Sequence, residues 1–286
     1  MRFFGYNTRM KRMILCLLSI LFLLGTACAH DPTSPEVIAQ SDALELTVFD
    51  IGQADSILLQ FGACNLLIDA GEQDDGQDLV TRLSELGVEK LDLLLLTHFD
   101  KDHIGGADTL IESLPIDQIY LPNYEADSKQ YRQLLAAIES AQTPVTRLSA
   151  DTTLTFGDAS LDVWVSTVPY DGSNDNEQSL VVRMAYQQTT YLFLGDAEEA
   201  LLKNLVYSTR NLTCDIMKLP HHGVYDKNLP MLLTFSLPDY VLITDSTKHP
   251  ADSATLEALD FVEANVQRTM NGEIHLTIVN GNVVVN

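Results

Sequence analysis

Residues 97–106 read THFDKDHIGG, which places His98, Asp100, Asp102 and His103 within six positions. Neutral imidazoles and carboxylates are suitable ligands for Zn²⁺, Mn²⁺ or Fe, and closely spaced ligands that alternate in direction can grip two cations. A merely solvated acidic loop would need neither the run Leu93 to Leu96 before it nor the paired glycines Gly105-Gly106 after it. Those glycines permit tight backbone conformations ahead of the next helix. Two more loops offer similar groups. Asp196 follows Gly195 at the end of an apolar run and precedes a helical pattern, where a helix N-cap is the alternative role. The tandem His221-His222 follows Pro220 at the end of another apolar run. Either imidazole can bind a metal while its neighbour bonds substrate or a supporting group.

These groups need rigid elements behind them. Strand patterns cover 44–52, 56–62 and 64–71, and a helix is expected over 76–87. The wholly apolar 91–98 reads as a strand buried on both faces. Helices are expected over 107–114 and 128–141, with strands over 116–121 and 144–148. Further strands fall at 152–156, 160–168, 178–187, 190–195, 213–219 and 239–244, with helices over 197–207, 227–235 and 253–261. The C-terminal stretch is a hairpin turning at Asn280-Gly281. Strands at both ends with mixed elements between them predict one α/β domain of two sheets covered by helices. The ligand-bearing loops all follow strands, and open α/β sheets gather such ends on one rim.

The chain has 286 residues and a net charge of −23. Residues 1–29 read as a signal peptide or lipoprotein leader: four basic residues, the apolar run 13–24, then Ala27-Cys28-Ala29. Cleavage before His30 and lipidation at Cys28 are both compatible with it. An exported bacterial protein is expected, periplasmic, extracellular or membrane-anchored through lipid. Residues 30–43 read as a polar tether and 44–286 as the folded domain. No second apolar stretch approaches membrane-spanning length, so a soluble domain is expected. The leader holds four bases and no acid, so its removal takes the charge to −27. Such a surface repels polyanions, which disfavours long nucleic acid as a partner and leaves small or short substrates. Cys64 and Cys214 could pair in an oxidising compartment or remain two buried thiols.

Together, HFDKDHIGG, FLGDAEEALL and KLPHHG, in that order, resemble the metallo-β-lactamase superfamily, most closely the soluble hydrolase domain of ComEC-type DNA-uptake proteins. FDIGQADSILL, LLIDAG, NDNEQSLVVRM and the pair His249-Pro250 extend the resemblance over 44–286. It implies an αββα four-layer sandwich, two mixed β-sheets flanked by helices, with a site for two divalent metal ions, Zn or Mn, on one edge. By motif, His98 and Asp100 would hold one metal, Asp102 and His103 the other. Asp196 would bridge them, and His221 or His222 would complete the second site. Asp100 stands where many members have a histidine, and the histidine many supply between the two halves is missing. NDNEQS occupies that region, making Asn176 and Ser179 candidate substrate or supporting contacts. An oxygen-richer site would favour Mn²⁺ at one position. Ala54 and Val224 replace a glycine and a serine of the ComEC pattern. The transmembrane channel of that branch has no counterpart here, so transport is not expected of this chain.

The implied chemistry is hydrolysis by a hydroxide that two metals generate from water. Asp55 is a candidate to orient that water or a ligand histidine, Asp102 to act in catalysis as well as ligation, Lys218 to neutralise an anionic substrate, and His249 to protonate the leaving group. A phosphodiesterase or nuclease of ComEC-like type is the leading expectation. Hydrolysis of carboxylic ester, lactone or β-lactam bonds is the second, and a non-catalytic metal-binding protein the third.

Overall fold

In the computed structural model, which describes residues 43–286, the Leu93–Leu96 run feeds two cores at once. Leu93 and Leu95 face the layer between two sheets, whereas Leu94 and Leu96 face helices on the outer side. Alternation across a strand sends successive side chains to opposite faces, so a strand covered on both sides has no polar position. Each leucine is fully buried, and burying one contributes about 2 kcal/mol. The THFDKDH loop therefore starts from a firmly held element.

The first sheet is built from β1 (Leu44–Val48), β2 (Ile57–Phe61), β3 (Cys64–Ile68), β4 (Leu93–Leu95), β5 (Ile119–Pro122) and β6 (Val145–Leu148). The second holds β7 (Thr152–Phe156), β8 (Ala159–Trp164), β9 (Val181–Tyr186), β10 (Thr189–Phe193), β11 (Ile216–Lys218), β12 (Tyr240–Ile243) and β13 (Asn265–Arg268). The terminal hairpin β14 (Ile274–Val279) and β15 (Asn282–Val285) returns to the first sheet, giving the orders β15-β14-β1-β2-β3-β4-β5-β6 and β13-β12-β11-β10-β9-β8-β7. Both are mixed: β3 to β6 run parallel, as do β10 to β13, and the remaining pairs are antiparallel.

Helices α1 (Gly76–Glu85), α2 (Lys101–Ile104), α3 (Ala107–Ser113) and α4 (Lys129–Ala141) cover the first sheet. The second is covered by α5 (Glu199–Val206), α6 (Leu229–Ser236) and α7 (Ser253–Val262). The expected αββα sandwich is thus the observed one. Among the described residues, no helix is long and apolar enough to cross a membrane. The leader over 1–29, Cys28, and all of the 30–43 tether except Ala43 lie outside the described residues.

Differences from the expected elements cluster at the ligand loops. The strands read as 64–71, 91–98 and 213–219 stop at Ile68, Leu95 and Lys218. The chain leaves the ladder there to aim side chains inward. Two elements were not anticipated: the one-turn α2, which carries Asp102 and His103, and the polar strand β13. Cys64 on β3 and Cys214 before β11 are both free thiols.

Candidate metal centre

Because β3 and β4 are parallel, as are β10, β11 and β12, their carboxyl ends line one edge of each sheet, and the two edges meet. Asp69 follows β3 and His98 follows β4, with His103 one helical turn beyond. From the other sheet come Asp196 after β10, His221-His222 after β11 and Thr244 after β12. Asp55 enters from the β1–β2 loop, where its N–H donates to the Asp102 carbonyl at 3.1 Å.

Four groups from three of these loops, Asp102, His103, Asp196 and His222, bring one ligand atom each within 4.8 Å of one another. His103 Nε2 stands 3.2 Å from Asp196 Oδ1, and His222 Nε2 stands 3.2 Å from Asp196 Oδ2 and 3.4 Å from Asp102 Oδ2. His98 lies beside them, its ring 4.1 Å from that of His103 and its Nε2 3.7 Å from Asp100 Oδ2.

The opposite edges of the rings decide what these atoms are for. His103 Nδ1 meets the Asp69 carboxylate at 2.8 Å. An ionised carboxylate only accepts, so Nδ1 carries the proton. Thr97 Oγ1 gives its single proton to Asp69 at 2.8 Å, which leaves it to accept from His98 Nδ1 at 3.0 Å. Thr244 likewise donates to Asp55 at 2.6 Å and accepts from His222 Nδ1 at 2.9 Å. In all three rings Nε2 is left to point inward. Those three Nε2 atoms and Asp196 Oδ1 are buried without a properly aligned hydrogen bond. Buried polar atoms ordinarily find partners, and tying Nδ1 to a carboxylate directly or through a hydroxyl is how metal-binding histidines are oriented. The donor set fits divalent cations.

Electrostatics agree. Burial alone pushes the His222 imidazole down, yet Asp196 and Asp55 carry it up to about 10. His103 is raised for the same reason by Asp196 and Asp69. Burial pushes Asp196 up, but His103 and His222 overcome it and hold the carboxyl well below its ordinary range. The surroundings select positive charge at the centre, whether a proton or a metal.

Backbone strain concentrates here. Asp69, His221 and His222 adopt left-handed conformations, with φ of 61°, 47° and 53°. Each costs of order 1–3 kcal/mol, held by the surrounding fold. The paired glycines have a different role from the one expected. Both have ordinary right-handed helical φ, −59° and −88°. A Cβ at Gly105 would run into the backbone of Glu72 and Gln73, and one at Gly106 into the Ala70 carbonyl. Close approach of α2 to the segment after β3 is what excludes side chains.

The remaining candidates fall in distinct places. Asp100 is half exposed and lines, with Asp102, Phe99, Tyr170, Asn174 and Asn176, a cavity of about 690 Å³. His221 is partly exposed; its Nε2 stands 4.0 Å from Asp196 Oδ2 and its Nδ1 3.1 Å from Glu198 Oε1. Ser179 is buried and accepts from the Asp196 N–H at 3.1 Å. Asn176 donates through Nδ2 to Glu198 at 2.9 Å. Lys218, expected to meet substrate, is instead fully buried, paired with Asp55 and 3.8 Å from Asp196 Oδ1. Solvent does not reach it. Asp55 sits beneath His222, out of reach of bulk water. His249 is not brought to the cluster: it lies exposed on a turn, bonded through its backbone to Ser246. Asp196 is not a helix N-cap either. Glu198 precedes the first turn of α5, and Glu177 takes the N–H groups of Ala200 and Leu201 at 2.8 and 2.7 Å.

Four supporting residues were not singled out from sequence: Asp69, Thr97, Thr244 and Glu198. Asp69 lies inside the quoted LLIDAG, and an aspartate ending an apolar strand before glycine was the available signal.

Comparison with known proteins bears on the family and the fold. A family model for the metallo-beta-lactamase superfamily covers residues 49–244. ComE operon protein 3 of Bacillus subtilis is 26% identical over 199 residues, 63% of this chain and 25% of that protein. Competence protein ComA of Neisseria gonorrhoeae is 25% identical over 227 residues, 77% of this chain and 30% of that one. The chain spans under a third of the length of these relatives. In fold it is similar to the metallo-beta-lactamase fold protein YhfI from Bacillus subtilis, with a TM-score of 0.57 and 16% identity over 86% of this chain and 100% of that one. CmlA, a diiron beta-hydroxylase from Streptomyces venezuelae, gives 0.52 and 13% over 84% and 54%. With a family match across most of the described residues and the same layered fold, the chain belongs to the metallo-beta-lactamase superfamily.

Proposed function

We propose that this chain is an exported bacterial metal-dependent phosphodiesterase acting on small or short phosphodiesters. The observation that carries the hydrolase reading is the convergence of unpartnered His98, His103 and His222 nitrogens with Asp196 beside an open cavity. The likeness to ComE operon protein 3 and competence protein ComA supports phosphodiester over carboxyl substrates. The strongly acidic surface supports short ones.

When bound, a pair of divalent cations, Zn²⁺ or Mn²⁺, supplies Lewis acidity and lowers the pKa of water towards neutrality. The protein's own part is positioning. Asp69 fixes the tautomer of His103 directly and that of His98 through Thr97, and Asp55 fixes that of His222 through Thr244. Lys218 offsets the charge that Asp55 and Asp196 bring into a dry interior. Asp100 and Asp102 reach the cavity where a phosphoryl group would enter, which Asn174 and Asn176 also line.

Turnover of bis-p-nitrophenyl phosphate, a lactone and nitrocefin by the purified domain with Mn²⁺ or Zn²⁺ tests this. The phosphodiester should be the preferred substrate. Turnover of only the carboxyl substrates would replace the reading with the second hydrolase class, and none from fully metallated protein would leave a metal-binding protein.

A further inference from the structure

The two sides of the centre are unequally supplied. Asp102, His103, His222 and Asp196 bring four donors within reach of one cation. The His98 side has only Asp100 and whatever Asp196 shares with it, because the chain lacks the histidine that many members place between their halves. Yet a fourth imidazole is oriented like the others. His221 Nδ1 faces a carboxylate, Glu198 Oε1, at 3.1 Å, just as His103 faces Asp69 and His222 faces Asp55. Its Nε2 then points back to within 4.0 Å of Asp196 Oδ2, the oxygen that His222 Nε2 approaches at 3.2 Å.

Two features show that this placement is built rather than incidental. In an extended segment, neighbouring side chains would point to opposite faces. Consecutive left-handed conformations at His221 and His222 bring both imidazoles round to Asp196 instead. The loop occupying the place of the missing histidine does not reach inward with a ligand of that kind. It clamps Glu198, through Asn174 Nδ2 at 2.8 Å on one oxygen and Asn176 Nδ2 at 2.9 Å on the other. That loop thus holds the carboxylate that holds His221.

We infer that His221 is a metal ligand in its own right, reaching a cation held by Asp196 from the exposed side, while His222 serves the enclosed side. Donor atoms on one cation stand about 3.3 Å apart at tetrahedral angles and about 4.2 Å apart across it, which brackets the 4.0 Å separation seen here. The inference rests on reading the site as a two-cation centre.

The test is metal content and affinity of the whole chain, by elemental analysis and by titration of the metal-free protein with Co²⁺ followed in its visible spectrum. His221→Ala should fall from about two ions to about one, with the weaker site losing roughly 100-fold or more in affinity. His221→Asn, which tolerates the left-handed backbone, serves if the alanine protein fails to fold. Glu198→Gln should keep both ions but weaken one by about 10–100-fold. If His221→Asn binds two ions with parental affinity, the assignment is overturned, and lost turnover in that protein would make His221 a group facing substrate. If the parent chain binds a single ion or none, the two-cation reading fails beneath it. Phosphodiester specificity could fail on its own without altering any of these counts.

Discussion

The two sides of the centre differ in enclosure. On the enclosed side His103, His222 and Asp196 expose 0%, 2% and 3% of their side chains and Asp102 24%. On the other, His98 is fully buried while Asp100 and His221 expose 45% and 27%. The enclosed side draws its candidate ligands from both sheets and backs each of its two histidines with a buried carboxylate. The open side joins buried His98 to two residues that solvent reaches, Asp100 on the cavity wall and His221 beside Glu198. A rigid site holds its cation in a fixed place, and an open one leaves room for a substrate oxygen.

Asp196 is central to the cluster, since His103 faces one of its oxygens while His222 and, farther off, His221 face the other. Asp196→Ala should remove metal from both sides, taking elemental content from about two ions to near none and abolishing metal-dependent turnover. Asp100→Ala should strip the open side only. If the two variants lose the same number of ions, the sides are not independent.

The next largest effect is expected beneath the enclosed side. Asp55 and Lys218 form a buried ion pair. Removing one partner strands the other, at about 3–5 kcal/mol. Asp55→Asn and Lys218→Met should each lower the urea midpoint of the metal-free protein accordingly, and the double variant should recover much of the loss. Additive losses would mean that the pair is not what couples them.

Asp69→Asn should weaken metal binding on both sides by about 10–100-fold, because Asp69 reaches His103 directly and His98 through Thr97. Calorimetric titration would show whether both affinities fall. Loss confined to one would break the link between the sides through Asp69.

How much of this could be read beforehand depended on sequence distance. His98, Asp102 and His103 announce themselves because the ligands are neighbours on one loop after an unmistakably buried strand. Asp69 acts on a histidine 34 positions away, and Thr244 on an aspartate 189 positions away. Nothing local in LLIDAG or VLITDS says which ring those groups will meet. Lys218 misled for the same reason. A lysine ending a strand looks solvated until the fold closes two carboxylates over it. The spacing of His221 and His222 left them equivalent; only the backbone turn and Glu198 give them different surroundings. The layers of the fold were legible because periodicity is local, whereas α2 and β13 were too short or too polar to show one.

The smallest effects should separate the sides most finely. Thr244→Val removes the hydroxyl between His222 and Asp55, but His222 Nδ1 already stands 3.3 Å from Asp55 Oδ1 and can take that partner directly. The loss should stay near 1 kcal/mol, under tenfold in affinity. Thr97→Val has no such reserve. His98 reaches Asp69 only through the Thr97 hydroxyl, so its Nδ1 proton would be left buried without an acceptor, at about 1–3 kcal/mol. Of the two valine variants, the one at Thr97 should therefore lose more Co²⁺ affinity, and lose it at the open side. Equal losses would show that the hydroxyl relays add little to orientation, and that packing around the rings sets where Nε2 points.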